Sequence, residues 1–222
     1  MIDNRFLEEL EIGTTDEWIL ERVGIRERRT VLPLDYIRST KNADLRAGQE
    51  AALYSNVETG RRAALVALER AGLAPGDIGM VVAGGCCPEM QIPAEACRIA
   101  HALGLEVPAF DLNSACSSFG AQLHLLASMA GLPRYVLVVN PENTTRAVSY
   151  ADRATAVLWG DGTSAAIVSS SDEVALSANQ RESMADASVG AAPVRFGSKT
   201  PDPDTHPSHA DPDANSWKAR AP

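Results

Sequence analysis

The sequence predicts an α/β protein with a mostly parallel sheet and helices on both of its faces. Short apolar runs alternate with helical segments, and Gly or Pro residues separate them. Two more apolar runs, at 155–159 and 164–169, flank the turn at 160–162 and predict an antiparallel edge of the sheet. Aromatic residues make up only 5% of the chain, so Ala, Val, Leu and Ile must build the core.

Helix signals dominate the first third of the chain. The first predicted helix opens at Thr14, which fits a capping box with Glu17, and Gly24 can end it in a left-handed conformation. Residues 33–56 are polar and irregular, and they predict a long connection. A helix with apolar residues at helical spacing is predicted at 58–71.

Strands and helices then alternate. Apolar runs predict buried strands at 78–83, 107–112 and 135–140. Helices are predicted between them at 93–103 and 114–130. The second of these helices is rich in small and apolar residues, so we expect it to be buried on most sides.

The periodic pattern ends near residue 178. The last 30 residues hold six of the 13 prolines, with Asp, Ser, Thr and His between them. Such a composition buries too little apolar surface to fold, so residues 179–222 are predicted to be disordered. We expect one folded unit over residues 1–178.

Charge and composition narrow the function. The chain has 20 Lys and Arg against 29 Asp and Glu, a formal net charge of −9, which disfavours nucleic acid as a partner. No secretory signal and no apolar run of about 18 residues is visible, so we expect a cytoplasmic protein without a membrane span. The four cysteines form no C-x-x-C pair, and no His has metal-ligand spacing, so we expect neither a disulfide framework nor a metal site.

Cys116 is the candidate nucleophile. It follows a predicted strand and falls in the first turn of a predicted helix. A helix N-terminus favours negative charge, which stabilises the thiolate that takes an acyl group from a thioester. Spacing alone leaves open that Cys116 is a small buried filler, as free cysteines often are. Packing is the simpler reading of Cys86, Cys87 and Cys97.

Sequence spacing defines a general base and a ligand site less well than it defines the nucleophile. His124 lies about 12 Å along the helix from Cys116, too far for direct proton transfer. Trp18 and Arg22 are four residues apart and share a helical face, which suits an adenine and its phosphates. A surface packing pair explains the same spacing.

Four segments, taken together and in this order, resemble the ketoacyl-ACP synthase III family of thiolase-fold condensing enzymes. They are TTDEWILERVGIRERR (14–29), IPAEACRIAHALG (92–104), PAFDLNSACSSFGAQL (108–123) and ADRATAVLWGDGTSAAIVS (151–169). The resemblance covers most of residues 4–178. It implies the N-terminal half of a thiolase-like fold, with a mixed five-stranded sheet, here without its first strand, and a buried central helix.

The resemblance also implies roles. Cys116 falls at the family's nucleophile, and the family's CoA-contacting positions are occupied by Thr14, Trp18, Arg22 and Arg153. The implied reaction, in fatty acid or polyketide biosynthesis, is a decarboxylating condensation of an acyl group from acyl-CoA with malonyl-ACP. It needs no cofactor beyond these two substrates. The implied assembly is a homodimer.

The sequence departs from the family in several places. The His and Asn used for decarboxylation come from the family's C-terminal half, which this sequence does not contain. We therefore expect the chain alone not to catalyse condensation, and a separate chain to supply that half. Ser118 stands where many members have Gly, and 33–56 is longer than the usual connection. Two alternatives remain: an acyltransferase to an oxygen or nitrogen acceptor, and a non-catalytic truncated remnant.

Overall fold

A four-stranded mixed sheet forms the centre of the computed structural model, which describes residues 1–170. Its strands are β3 (Met80–Ala83), β4 (Ala109–Asp111), β5 (Tyr135–Glu142) and β6 (Gly162–Ser169), in the order β4-β3-β5-β6. The first three are parallel, and β6 runs antiparallel to β5. The predicted α/β class with an antiparallel edge is confirmed. A separate pair joins β1 (Ile2–Asp3) to β2 (Glu27–Arg28).

Eight α-helices surround these strands within residues 1–170. They are α1 (Asn4–Glu9), α2 (Asp16–Val23), α3 (Leu34–Thr40), α4 (Leu45–Ala51), α5 (Asn56–Ala71), α6 (Glu95–Ala102), α7 (Ser118–Ser128) and α8 (Arg153–Ala156). Short 3₁₀ turns lie at Pro75–Asp77, Ala115–Ser117 and Thr144–Ala147. In this part of the chain, no helix is long and apolar enough to cross a membrane.

The helix ends follow local signals, with two shifts from prediction. The cap of α2 is Thr15, not Thr14, because the Thr15 hydroxyl accepts a 3.2 Å bond from the Trp18 N–H. Gly24 ends α2 at φ 68°, as predicted. Helix α5 begins earlier than predicted because Ser55 and Glu58 form its capping box.

Residues 33–56 are not an irregular connection. They contain α3 and α4, so that prediction is wrong. Asp44 caps α4, because its side chain accepts hydrogen bonds from the N–H groups of Arg46 and Ala47. Ile37 is buried and packs α3 against the core. The segment has too few apolar residues to show helical periodicity, so its helices depend on these caps and on tertiary contacts.

The predicted strand at 155–159 is also wrong. Asp152 caps the short helix α8 there, accepting bonds from Ala154 N and the Thr155 hydroxyl. The antiparallel edge instead comes from β6 pairing along the whole of β5, from Tyr135↔Ser169 to Glu142↔Gly162. Side-chain capping by Asp thus outweighs the β propensity of this apolar run.

Apolar contacts cover both faces of the sheet. On one face, Ala64 and Leu68 of α5 and Ile99 of α6 pack with β3 and β5. On the other face, Leu126 of α7 packs with Val82 and with β5. A third cluster joins α1, α2 and α3 around Leu7, Ile19, Ile37 and Tyr150. The expectation of helices on both faces is confirmed.

Helix α7 is not buried on most sides, in contrast to the sequence prediction. Its fully buried residues are Ser118, Gln122 and Leu126, a single stripe at four-residue spacing. Phe119 on the same helix is 45% exposed. The remaining faces of α7 have no covering layer within residues 1–170. The tail predicted to be disordered, 179–222, lies outside the described residues.

The core on α5 offers a direct stability test. Leu68 is 2% exposed, whereas Leu65 on the same helix is 36% exposed. We expect Leu68→Ala to lower the free energy of unfolding by about 2–5 kcal/mol, because it leaves a cavity against the sheet. Leu65→Ala should cost less than about 1 kcal/mol. Urea unfolding of both variants measures the difference, and equal losses would contradict this packing.

Candidate active site

The carboxyl ends of β3, β4 and β5 bring three loops to one edge of the sheet. Backbone hydrogen bonds continue beyond the ends of the strands. Gly84 N donates to Val139 O at 3.2 Å, and Leu112 N donates to Ala83 O at 2.8 Å. The loop after β3 carries Cys86 and Cys87, and the loop after β4 carries Cys116. We call Cys86, Cys87, Cys116, Asn113 and Glu142 the thiol site.

Gly84 allows these loops to meet. A Cβ placed on Gly84 would lie 2.1 Å from the Leu112 carbonyl oxygen and 2.5 Å from Nε2 of Gln122. Gln122 is fully buried on α7, and its Oε1 accepts a 3.0 Å bond from the Asn140 amide. Glycine is therefore required here by close backbone approach. The contact fixes the β3 loop against both the β4 loop and α7.

Cys116 sits in a strained turn. Ala115, directly before it, has φ 46°, which costs an L-residue about 1–2 kcal/mol. The Ser118 hydroxyl bridges the turn, accepting from Ser114 N at 2.9 Å and donating to Ala115 O at 2.7 Å. Cys116 itself is exposed, so the alternative of a buried filler is excluded.

The bridge also explains the departure at Ser118, where many family members have Gly. A glycine would supply neither bond to the turn. Cys116 lies in the 3₁₀ turn Ala115–Ser117 that leads into α7, rather than in the α-helix itself. The predicted stabilisation of its thiolate by the helix stays a prediction.

Glu142 binds the backbone of the Cys86 loop in the thiol site. Its two carboxylate oxygens accept bonds from Cys86 N at 2.9 and 3.1 Å. Burial, followed by the charges of Glu142 and Cys116, raises the pKa of the Cys86 thiol to about 11. Burial and Glu142 also raise the pKa of Cys87. Sequence spacing gave no signal for Glu142, because it lies on a different strand.

A network of ion pairs and hydrogen bonds, largely buried, supports the loop that follows β3. Glu89 accepts 2.8 Å bonds from Arg98 and from Arg146, whose side chain is 3% exposed. Asn56 at the start of α5 donates to Glu95 at 2.9 Å and accepts from Arg146 at 2.9 Å. Removing one partner of such a buried pair leaves a charge uncompensated, at a cost of about 3–5 kcal/mol.

Two aspartates join distant segments around this network. Asp111, at the end of β4, accepts bonds from Glu95 N and Ala96 N and so caps α6 in place of a local residue. Asp161 accepts bonds from Val31 N and from the backbone and hydroxyl of Thr145. Sequence reasoning placed Asp161 only in a hairpin turn and missed this role.

The predicted CoA-contacting residues meet on one surface, which we call the Trp–Arg cluster: Thr14, Trp18, Arg22 and Arg153. The guanidinium carbons of Arg22 and Arg153 each lie 4.8 Å from the centre of the Trp18 ring. Arg153 Nη1 also donates to Gly13 O at 2.6 Å, beside Thr14. The buried Thr14 hydroxyl forms no hydrogen bond within residues 1–170.

Two of the four histidines lie within residues 1–170. His101 and His124 are exposed on α6 and α7, and no hydrogen bond within residues 1–170 joins either to Cys116. Among these residues, no group of three or more His, Cys, Asp or Glu side chains is arranged to hold a metal ion. Cys116 is the exposed thiol of this site.

Solved structures identify the class of the fold. The 3-oxoacyl-[acyl-carrier-protein] synthase III of Aquifex aeolicus VF5 matches with a TM-score of 0.65 at 31% identity, covering 78% of this chain and 50% of that one. The priming beta-ketosynthase of a polyketide biosynthetic pathway matches with a TM-score of 0.64 at 34% identity, covering 78% and 46%. The chain therefore has the thiolase-like fold of the condensing enzymes, as the resemblance predicted.

Sequence comparison finds similarity to one family within that class. The family model for 3-oxoacyl-[acyl-carrier-protein (ACP)] synthase III matches residues 110–186. The beta-ketoacyl-[acyl-carrier-protein] synthase III of Sulfurovum sp. (strain NBC37-1) is 34% identical over 177 residues, which are 78% of this chain and 46% of that protein. The chain is thus a relative of the beta-ketoacyl-ACP synthase III family, and it spans about half the length of the curated relatives that it matches.

The close approach at Gly84 predicts a sensitive position. Gly84→Ala must push its Cβ against the Leu112 carbonyl, so we expect a loss of about 1–3 kcal/mol in unfolding free energy and displacement of the Cys116 turn. Gly76→Ala is the matched control, because its Cβ would meet nothing within 4 Å. Chemical unfolding and the rate of Cys116 alkylation measure both effects. Two variants with identical behaviour would refute the close approach.

Buried Glu95 predicts a pH dependence. Burial raises the pKa of its carboxyl above the ordinary 4.5. The folded chain then binds more protons than the unfolded chain in this window, so stability falls as pH rises from 4.5 through the folded pKa. We expect Glu95→Gln to lose this slope, and exposed Glu69→Gln to keep it. Urea unfolding across mildly acidic pH measures the slope, and a parallel profile for Glu95→Gln would contradict the assignment.

Proposed function

We propose that this chain carries the acyl-loading half of a ketoacyl-ACP synthase III, with Cys116 as the acyl acceptor. The observation that carries the proposal is the exposed Cys116 thiol in a strained turn at the carboxyl ends of parallel strands. Strain of this kind persists where the surrounding structure fixes it, as at nucleophile turns. The relatives named as beta-ketoacyl-ACP synthase III support the reaction class.

In the loading step, the Cys116 thiolate attacks the carbonyl carbon of acyl-CoA. A carbon–sulfur bond forms to Cys116, the bond to the CoA sulfur breaks, and CoA leaves as a thiolate. We expect the backbone N–H of Cys116 itself to donate to the developing oxyanion, since the Ser114 and Ser117 N–H groups already bond within the turn. In the condensing step, malonyl-ACP loses CO₂ and its carbanion takes the acyl group from Cys116.

The Trp–Arg cluster is the proposed site for the CoA moiety. Trp18 offers a flat ring for an adenine, and Arg22 and Arg153 on it offer charges to phosphates. On a chain with a net charge of −9, two guanidinium groups held at one ring offer paired cationic contacts to phosphates. The unpartnered Thr14 hydroxyl adds a polar group beside Arg153.

A separate polypeptide supplying the second half of the fold is the proposed partner, together with acyl carrier protein and a second copy of this chain. The outward face of α7, which includes Phe119, supports a covering layer. Within residues 1–170, β4 is an edge strand of the sheet, and this edge and the 87% exposed Ile92 support contact with another chain.

Loading is tested by intact-protein mass spectrometry after incubation with acetyl-CoA. We expect one acetyl adduct on the parent chain and none on Cys116→Ala. Cys97→Ala is the matched control, because Cys97 is the other exposed thiol, and it should load like the parent. An adduct that survives in Cys116→Ala, or no adduct on a folded parent sample, would overturn the proposal.

The same assay tests the Trp–Arg cluster. Trp18→Ala should slow loading at low acetyl-CoA by about fivefold or more, because stacking on an aromatic ring stabilises a base by about 1–3 kcal/mol. Tyr54→Ala is the control, since Tyr54 forms another stacked pair, with Arg62 at 4.5 Å. Equal rates for the two variants would remove the CoA assignment and leave the role of Cys116 intact.

A further inference from the structure

The two loops that carry Cys86 and Cys116 leave the sheet side by side. Strands β3 and β4 are parallel neighbours, with Ala83 opposite Asp111, so the chains start about 4.8 Å apart. Gly85 N then donates to the Asn113 side-chain oxygen at 3.0 Å, which joins the loops between the strands and the two cysteines. This bond prevents the loops from diverging before they reach the thiols.

Each thiol is also held in place on its own loop. Glu142 fixes the backbone of Cys86 through two bonds, and the Ser118 hydroxyl fixes the turn that presents Cys116. Cys86 is half-buried and Cys116 is exposed, and both are free thiols. A disulfide needs its Cα atoms about 4.4–6.8 Å apart, so the cross-link requires the joined loops to bring Cys86 and Cys116 within that separation.

We propose that Cys86 and Cys116 form a reversible disulfide when Cys116 is oxidised, so that Cys86 protects the acyl-accepting thiol from irreversible oxidation. The modification requires only an oxidisable thiol at position 116. A failure of acyl loading would therefore not contradict the disulfide, although both reactions use the Cys116 sulfur.

The chemistry balances with hydrogen peroxide as the oxidant. The Cys116 thiolate attacks a peroxide oxygen, a sulfur–oxygen bond forms, the oxygen–oxygen bond breaks and hydroxide leaves. The Cys86 sulfur then gives up its proton and attacks the Cys116 sulfur. The sulfur–sulfur bond forms, the sulfur–oxygen bond breaks and water leaves. The two thiols supply the two electrons that reduce the peroxide, and a dithiol reverses the cross-link by exchange.

Electrostatics sets the order of events. Burial, Glu142 and then Cys116 raise the pKa of Cys86 to about 11, so Cys86 is protonated at neutral pH and is not the thiol that meets peroxide first. Oxidation of Cys116 to a neutral sulfenic acid removes one of these causes. Cys86 then ionises more easily at the moment when its sulfur is needed.

Cys87 is the wrong neighbour for this reaction. After burial and Glu142, the charges that act most strongly on its pKa come from Arg146, Asp161 and Glu95. Its carbonyl oxygen accepts a 3.0 Å bond from the Asn56 amide, on the side of the buried ion network. Cys87 thus offers a matched control adjacent in sequence to Cys86.

The test is peptide mapping of the full chain after treatment with hydrogen peroxide. Trypsin cuts after Arg70, Arg98 and Arg134, so Cys116 lies alone in peptide 99–134 and the other three cysteines lie in peptide 71–98. We expect these peptides to become cross-linked, with the loss of two hydrogen atoms, in the parent and in Cys87→Ala. Fragmentation of the cross-linked pair should place the bond on Cys86.

Treatment with a reductant distinguishes a reversible disulfide from irreversible oxidation of Cys116. After peroxide and then dithiothreitol, the parent and Cys87→Ala should recover a free Cys116 thiol, whereas Cys86→Ala and Cys86→Ser should retain sulfinic or sulfonic acid at Cys116. The proposal is overturned by a cross-link that persists without Cys86, by a bond between Cys86 and Cys87, or by a parent that shows only irreversible oxidation. If the folded chain forms the cross-link but takes no acyl group, the proposed function is wrong and the disulfide proposal stands.

Discussion

The backbone pairing of β3 with strands on both of its sides is the constraint on which the site depends. Its last three residues, 81–83, are buried, and the strand bonds to β4 on one side and to β5 on the other. Because all three strands are parallel, their loops emerge at one edge, where Gly84 brings the first loop into contact with the Leu112 carbonyl. Any side chain at position 84 would separate the loops that form the thiol site.

Polar interactions then fix what the sheet brings together. Glu142, Asp111 and Asp161 each accept bonds from the backbone of another segment, so carboxylates replace regular secondary structure as the connection between loops. These groups are costly to bury unless every bond is made. At Cys116 itself, the Ser118 hydroxyl bonds to Ser114 N and to Ala115 O, and it helps to hold Ala115 in a conformation that an isolated peptide would avoid.

Local features of the fold were predictable, and features that rest on distant contacts were not. Gly24 and Gly72 end their helices at positive φ because the chain there needs only the freedom of glycine. The helices within 33–56 escaped prediction because their stability comes from caps and from the core around Ile37. The run at 155–159 was apolar enough for a strand, yet Asp152 turned it into a helix.

By itself, the sequence determined the class of the fold, the position of Cys116 after a strand, and the shared helical face of Trp18 and Arg22. These follow from periods and spacings within a few residues. Only the tertiary structure decided that Arg153 joins Arg22 at the Trp18 ring, with a bond to Gly13 across 140 positions of sequence. It also decided that the loop of Cys86 bonds to the loop of Cys116 and that α7 is buried along one stripe. Such contacts join residues far apart in the chain, and no local period encodes them, because they form only when the strands align and the loops pack.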